Sequence, residues 1–186
     1  FMLVSIASAI MWPTENPAFH LHYPFREWPF PKVIRFCSTT KNVEDGQAFQ
    51  TAISAVFPKG RYQQDRGTGR SYYSQGKTDT GFTWDVMTYN QHPSEFAGAT
   101  IGALLYSEPP PEPIFKEGLA RTRKGGFHFV EMTPLNYGAY LKDDYIDKGY
   151  LFNEKTQTQI GKVVCVPGDI HENCAEHNPG GQLSHW

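Results

Sequence analysis

Ile101-Gly102-Ala103-Leu104-Leu105-Tyr106-Ser107-Glu108-Pro109-Pro110-Pro111 is the stretch on which the fold turns. From Ile101 to Tyr106 nothing charged interrupts the run, as expected for a strand covered on both faces in a parallel sheet. Three prolines then end it, because proline donates no ladder hydrogen bond. Ser107 and Glu108 therefore fall at the carboxyl end of a buried strand, the edge at which open α/β sheets bind ligands. Several nucleotide-hydrolysing cores place two successive acids there, one holding Mg²⁺ and one polarising the attacking water. Glu108 occupies the second position. Ser107 stands where the metal-binding aspartate belongs. A core strand running into a proline-stiffened turn would carry the same periodicity, so other segments must decide.

Working outward, Leu3, Ile6, Ala7 and Ile10 recur at helical spacing and Pro13 stops that helix. Asn16 to Pro31 is a structured loop, and Lys32 to Ser38 has the β-branched and aromatic content of a strand. Thr40 or Asn42 caps a helix running to about Phe57, with Phe49, Ile53 and Val56 on one side. Pro58 to Gly81 is a long polar loop with at most a short ribbon, and Phe82 to Tyr89 is a strand. A helix from Pro113 to Arg123 ends at Gly125-Gly126, and the strand Phe127 to Met132 follows. Tyr140 to Lys148 reads as a short helix and Lys162 to Val166 as a strand. Strands alternating with helices predict an α/β fold, a mainly parallel sheet flanked by helices.

Composition sets the limits. The chain has 186 residues, 39% hydrophobic and 19% charged, which describes one globular domain with a core. A net charge of -2 excludes a basic overall surface, so any grip on nucleic acid is local. Cys37, Cys165 and Cys174 are too few for a disulfide scaffold. The apolar Phe1 to Trp12 is about half a bilayer span; with no basic n-region and with Ser5 and Ser8 interrupting it, it fits a signal peptide poorly. It reads as a fragment entered in mid-helix.

Three further constellations bear on chemistry. Ser71 to Thr78 contains Gly76-Lys77-Thr78 but lacks the first glycine of a phosphate loop, and it leads into a strand rather than a helix. Glu131-Met132-Thr133-Pro134-Leu135 puts a hydroxyl beyond the next strand, where it can sense a γ-phosphate or simply mark a strand stop. His171, Cys174 and His177, with Cys165 and His185 in reach, offer part of a zinc site; a buried cysteine among surface histidines is the plainer reading. There is no Gly-x-Ser-x-Gly elbow for a serine hydrolase, and Asp143, Asp144 and Asp147 read as a solvated helix face.

The order of the pieces carries a resemblance. Glu95 to Gly102 leads into Ser107-Glu108-Pro109-Pro110-Pro111, then Ile114-Phe115-Lys116, Arg121-Thr122-Arg123, Gly125-Gly126 and Met132-Thr133-Pro134-Leu135. This resembles the large terminase subunit of tailed bacteriophages, the ATP-driven motor that packages DNA, over roughly Tyr23 to Ser184. That family has Asp-Glu-Pro-Pro at the Walker-B position and a Thr-Pro-Leu coupling segment; Asp169 to Cys174 is similar to its post-ATPase segment.

The resemblance implies a P-loop NTPase core of the RecA-like (ASCE) type that lacks its phosphate loop and is truncated at both ends. Residues 1–150 or so would be the core after the Walker-A loop, and about 151–186 the start of the post-ATPase segment. It implies Glu108 as catalytic base, Ser107 as a degenerate Mg²⁺ position, Thr133 as the coupling residue, and nucleotide or relay roles for Arg121 and Arg123. It implies ATP and Mg²⁺ as cofactors. Its partners would be double-stranded DNA, a portal ring, a small terminase subunit and further copies in a ring, in the host cytoplasm at the procapsid. Alternatives are a catalytically dead ATPase-like module, motivated by Ser107, and a small zinc-stabilised nucleic-acid-binding domain using His171, Cys174 and His177.

Overall fold

Four strands run parallel in one sheet: β1 (Val33–Ser38), β4 (Thr83–Thr88), β5 (Ala103–Ser107) and β6 (Phe127–Glu131), in spatial order β4-β1-β5-β6. The computed structural model describes residues 1–15, 28–39, 47–67, 72–122, 125–131, 139–141, 143, 150–153 and 158–162. An antiparallel ribbon, β2 (Tyr62–Asp65) with β3 (Gln75–Thr78), extends the sheet beyond β4. The result is a six-stranded, mostly parallel sheet of order β2-β3-β4-β1-β5-β6 flanked by helices, an α/β fold.

The two faces are divided by strand alternation. Ile34, Phe36, Trp84, Val86, Ala103 and Leu105 turn to one face, where they share a core with helices α1 (Met2–Met11) and α2 (Gln47–Val56). Leu104 and Tyr106 turn to the other, under α3 (Glu112–Arg121). β5 is buried on both faces from Ala103 to Tyr106, which is why its sequence does not alternate.

Helix α1 is more deeply enclosed than an amphipathic stripe requires. Val4, Ser8, Ala9 and Met11 are buried along with Leu3, Ile6, Ala7 and Ile10. Each large apolar side chain so covered contributes about 1.5–3 kcal/mol, so α1 is integral to the core. After Met11 the chain leaves through a 3-10 turn at Pro13–Glu15. Trp12 packs edge-on against Phe57 at 5.1 Å and donates its indole N–H to Asp79 Oδ1 at 2.9 Å.

The polar segment 58–81 is more regular than its composition suggests, because β2 pairs with β3 and β3 with β4. Gly76-Lys77-Thr78 is strand, not a phosphate loop. A Cβ at Gly76 would lie 2.1 Å from the Trp84 ring, so glycine is there to admit that indole. Helix α3 begins at Glu112 and ends at Arg121, with Gly125 at φ +90 after it.

The chain divides into two compact units, Phe1–Pro134 and Leu135–Trp186. Among the described residues of the second unit are a helical turn α4 (Ala139–Leu141) and a hairpin of β7 (Tyr150–Asn153) with β8 (Thr158–Lys162). Most of the helix expected over Tyr140 to Lys148 lies outside the described residues. The strand expected over Lys162 to Val166 lies, apart from Lys162 in β8, outside the described residues. Among the described residues no helix is long and apolar enough to cross a membrane.

Candidate active site

All four parallel strands deliver their last residues to one edge: Ser38, Thr88, Ser107 and Glu131. At that edge β5 turns out of the sheet through Glu108, whose φ of 68 is the only positive φ at a non-glycine among the described residues. The left-handed region costs an L-residue about 1–2 kcal/mol, and a residue before proline prefers extended backbone. Glu108 is nevertheless held there at both ends of its main chain. Its N–H donates to Glu131 O at 2.8 Å, and its carbonyl accepts from the Tyr89 hydroxyl at 2.7 Å.

This turn breaks the strand alternation where chemistry is expected. Ser107 is half-buried and Glu108 exposed. Ser107 is in register with Glu131 on β6, and by alternation both lie on the α1 face of the sheet. The α1 helix crosses β5 and β6 on that face, and its carboxyl end is fixed at the amino edge of the sheet by Trp12 and Asp79. Its amino end is therefore directed towards the carboxyl edge, where Glu108 stands. Mg²⁺ takes one or two carboxylates together with water and phosphate oxygens. Ser107, Glu108 and Glu131 bring oxygen donors to neighbouring strand ends, the donor chemistry such an ion takes. No phosphate cradle accompanies them among the described residues, since Gly76-Lys77-Thr78 is strand.

Of the remaining expected residues, Arg121 is the one among the described residues. Arg121 is at the opposite edge: its carbonyl accepts from Ile101 N–H at 3.2 Å, and its Nε lies 3.0 Å from Glu117 Oε1. That position suits a cation closing a helix C-terminus and is a full strand length from Glu108. Arg123, Thr133, His171, Cys174 and His177 lie outside the described residues. Among the described residues no group of three or more His, Cys, Asp or Glu side chains could hold a metal. Cys37 is fully buried in β1, and burial pushes its thiol up from the ordinary value, so it is an inert core thiol.

Three features escaped the sequence reading. Tyr89 gathers strand ends: besides Glu108 O, its hydroxyl lies 3.1 Å from Ser107 O and 3.2 Å from Cys37 O. Only an aromatic with a polar tip just past a strand hinted at this. Arg35 is 5% exposed and grips Asp85 with Nε and Nη2, both at 2.8 Å, while Nη1 donates to Phe96 O. Burial opposes the Arg35 charge, but the Asp85 hydrogen bond and charge outweigh it and raise its pKa. The pair lines a polar cleft of about 760 Å³ with Asp65, Gln75, Gln91 and Glu95, on the α3 side of the sheet. Opposite charges on different strands become a pair only once the register Arg35↔Asp85 is known. Lastly, His128 on β6 stacks on Tyr106 with its Nε2 2.8 Å from Thr122 Oγ1, and burial lowers its pKa to about 4.

A buried parallel strand ending in a strained, exposed carboxylate at the ligand-binding edge defines the class only as far as an α/β protein with a candidate acid–base site. Comparison with protein-family models, curated proteins and solved structures finds no match to this chain.

Proposed function

We propose that this chain is part of the ATPase core of a viral DNA-packaging motor, a large terminase subunit, with Glu108 as the general base that activates water for attack on the γ-phosphate. The observation that carries the reading is Glu108 itself: exposed, at the carboxyl end of the buried strand β5, in a backbone conformation that costs energy. Strain of this kind persists where surrounding structure over-determines it, and it concentrates at functional sites.

The surroundings support the same reading. β5 lies between two parallel strands, and β6 is the strand that would lead to the coupling hydroxyl Thr133. The amino end of α1 is directed to the same edge, as a helix following a phosphate loop must be. When bound, Mg²⁺ would neutralise charge building on the phosphate oxygens. Ser107 and Glu131 are the side chains that would hold its water shell, Ser107 being a weaker oxygen donor than the usual aspartate. In the assembled motor the partners are double-stranded DNA, a portal ring, a small terminase subunit and further copies in a ring, acting in the host cytoplasm at the procapsid.

Phosphoryl transfer is catalysed mainly by positioning and charge stabilisation. Residues 1–186 contain no complete phosphate loop, so the isolated chain is expected to turn over ATP at background rate. A version carrying an upstream Gly-Lys-Ser/Thr loop should hydrolyse ATP, and Glu108→Gln in it should remove at least about two orders of magnitude, the range of general-base catalysis. Equal rates with and without Glu108, or brisk hydrolysis by the isolated chain, would overturn the reading. The second reading, a catalytically dead module, is favoured by Ser107; Ser107→Asp in the extended version raises the rate only if the missing carboxylate limits it.

A further inference from the structure

We infer that Tyr89 is a positioning residue: its hydroxyl is a latch that holds Glu108 in the left-handed conformation and so sets where the carboxylate stands. This deepens the reading of Glu108 as general base and rests on it for its functional meaning. The latch itself is a conformational statement that can be tested alone.

The left-handed conformation of Glu108 carries a cost. Glu108 precedes Pro109, and both its side chain and its neighbour favour extended backbone. Without restraint the residue would leave φ 68. Two hydrogen bonds from distant elements oppose that. The Glu131 carbonyl fixes the N–H at 2.8 Å, as an extension of the β5–β6 ladder. Among the described residues the carbonyl is held by the Tyr89 hydroxyl at 2.7 Å, from the end of β4 two strands away. Removing the Tyr89 hydroxyl therefore takes away the 2.7 Å bond at one end of the strained peptide and leaves the bond at the other.

The latch is also built to release. A phenol has a single proton, and the Ser107 and Cys37 carbonyls lie 3.1 and 3.2 Å from the same oxygen. When the proton swings to either, it keeps an acceptor, so release leaves no donor unpaired at this half-buried position. The Tyr89 main chain stays in place meanwhile, since its N–H donates to Ser38 O at 2.9 Å. The hydroxyl thus offers two states: one pins Glu108, and one ties the ends of β1 and β5 together and lets Glu108 relax.

The test is Tyr89→Phe in the full chain, read by NMR. A strong intraresidue HN–Hα NOE marks positive φ. The wild type should show it at residue 108, and Tyr89→Phe should lose it while NOEs across β1, β4 and β5 persist. A positive φ at Glu108 that survives in the folded variant overturns the latch. Should Tyr89→Phe fail to fold, Tyr89→Phe combined with Glu108→Gly decides. Glycine takes φ 68 without restraint, so recovery supports the latch, and continued unfolding means that Tyr89 acts by packing. Neither outcome depends on hydrolysis, so an extended version in which Glu108→Gln leaves ATP turnover unchanged would remove the functional reading and leave the latch standing.

Discussion

Replacing Glu108 by glycine should make the protein more stable, although it deletes the residue proposed to do the chemistry. The main-chain bonds to Glu131 and Tyr89 do not involve the side chain, and the side chain is exposed, so glycine loses little contact. Relief of the left-handed penalty is worth about 1–2 kcal/mol. Against this, glycine adds about 0.4–1 kcal/mol of unfolded-state entropy. The net gain is about 0.5–1 kcal/mol. Urea unfolding followed by tryptophan fluorescence reads the relevant unit, because Trp12 and Trp84 are buried in it. With a slope of about 2 kcal/mol/M, the midpoint should rise by about 0.3–0.5 M. Glu108→Ala is the control: alanine keeps the Cβ, so its midpoint should stay near wild type, with Glu108→Asn between. If alanine stabilises as much as glycine, or glycine not at all, the backbone at Glu108 is not strained in solution. The case built on that strain then fails.

Two other outcomes test the packing around β5 and β6. A Cβ at Gly118 would sit 2.2 Å from the Tyr106 hydroxyl, so Gly118→Ala should cost about 1–3 kcal/mol by overpacking, and Tyr106→Phe in the same chain should recover much of it; urea midpoints of the single and double variants decide. His128 has its folded pKa depressed by burial to about 4 from 6.5. Its contribution is complete above pH 6.5 and is lost as pH falls towards 4, because the unfolded chain binds the proton first. Up to about 3 kcal/mol is at stake, and the difference between wild type and His128→Phe in urea midpoints across pH 4–6.5 measures it; parallel pH profiles for the two would refute the assignment.

The α/β class was legible because β5 is buried on both faces and says so in six uninterrupted non-charged residues. β1, β4 and β6 announced themselves through β-branched and aromatic content. The ribbon β2–β3 was nearly invisible: Tyr62-Gln63-Gln64-Asp65 and Gln75-Gly76-Lys77-Thr78 are polar, and their order comes from pairing with β4 rather than from their own burial. Glu108 could be picked out as a residue at a strand end, but its φ could not, since nothing local favours a left-handed glutamate before proline. Arg35, Asp85 and Tyr89 depend on strand order, and strand order is a property of the whole sheet.

The strand order also ties the candidate site to the architecture. Glu108 is placed by one bond from β6 and one from Tyr89 beyond β4, so the position of a single exposed carboxylate reports on strands to both sides of β5. A small slide of β4 relative to β5 would lengthen the Tyr89 contact before it disturbed any buried side chain, because the hydroxyl reaches across β1 rather than packing within a layer. Arg35 and Asp85 resist that slide by joining β1 to β4 at exact register through two 2.8 Å contacts on a guanidinium that is almost fully buried. Breaking such a pair leaves an uncompensated buried charge, which is what makes it a stiff tie. The polar cleft face of the sheet thus holds the frame against which Tyr89 works, and the strained turn at Glu108 is sustained from the far side of the sheet as well as from its own edge.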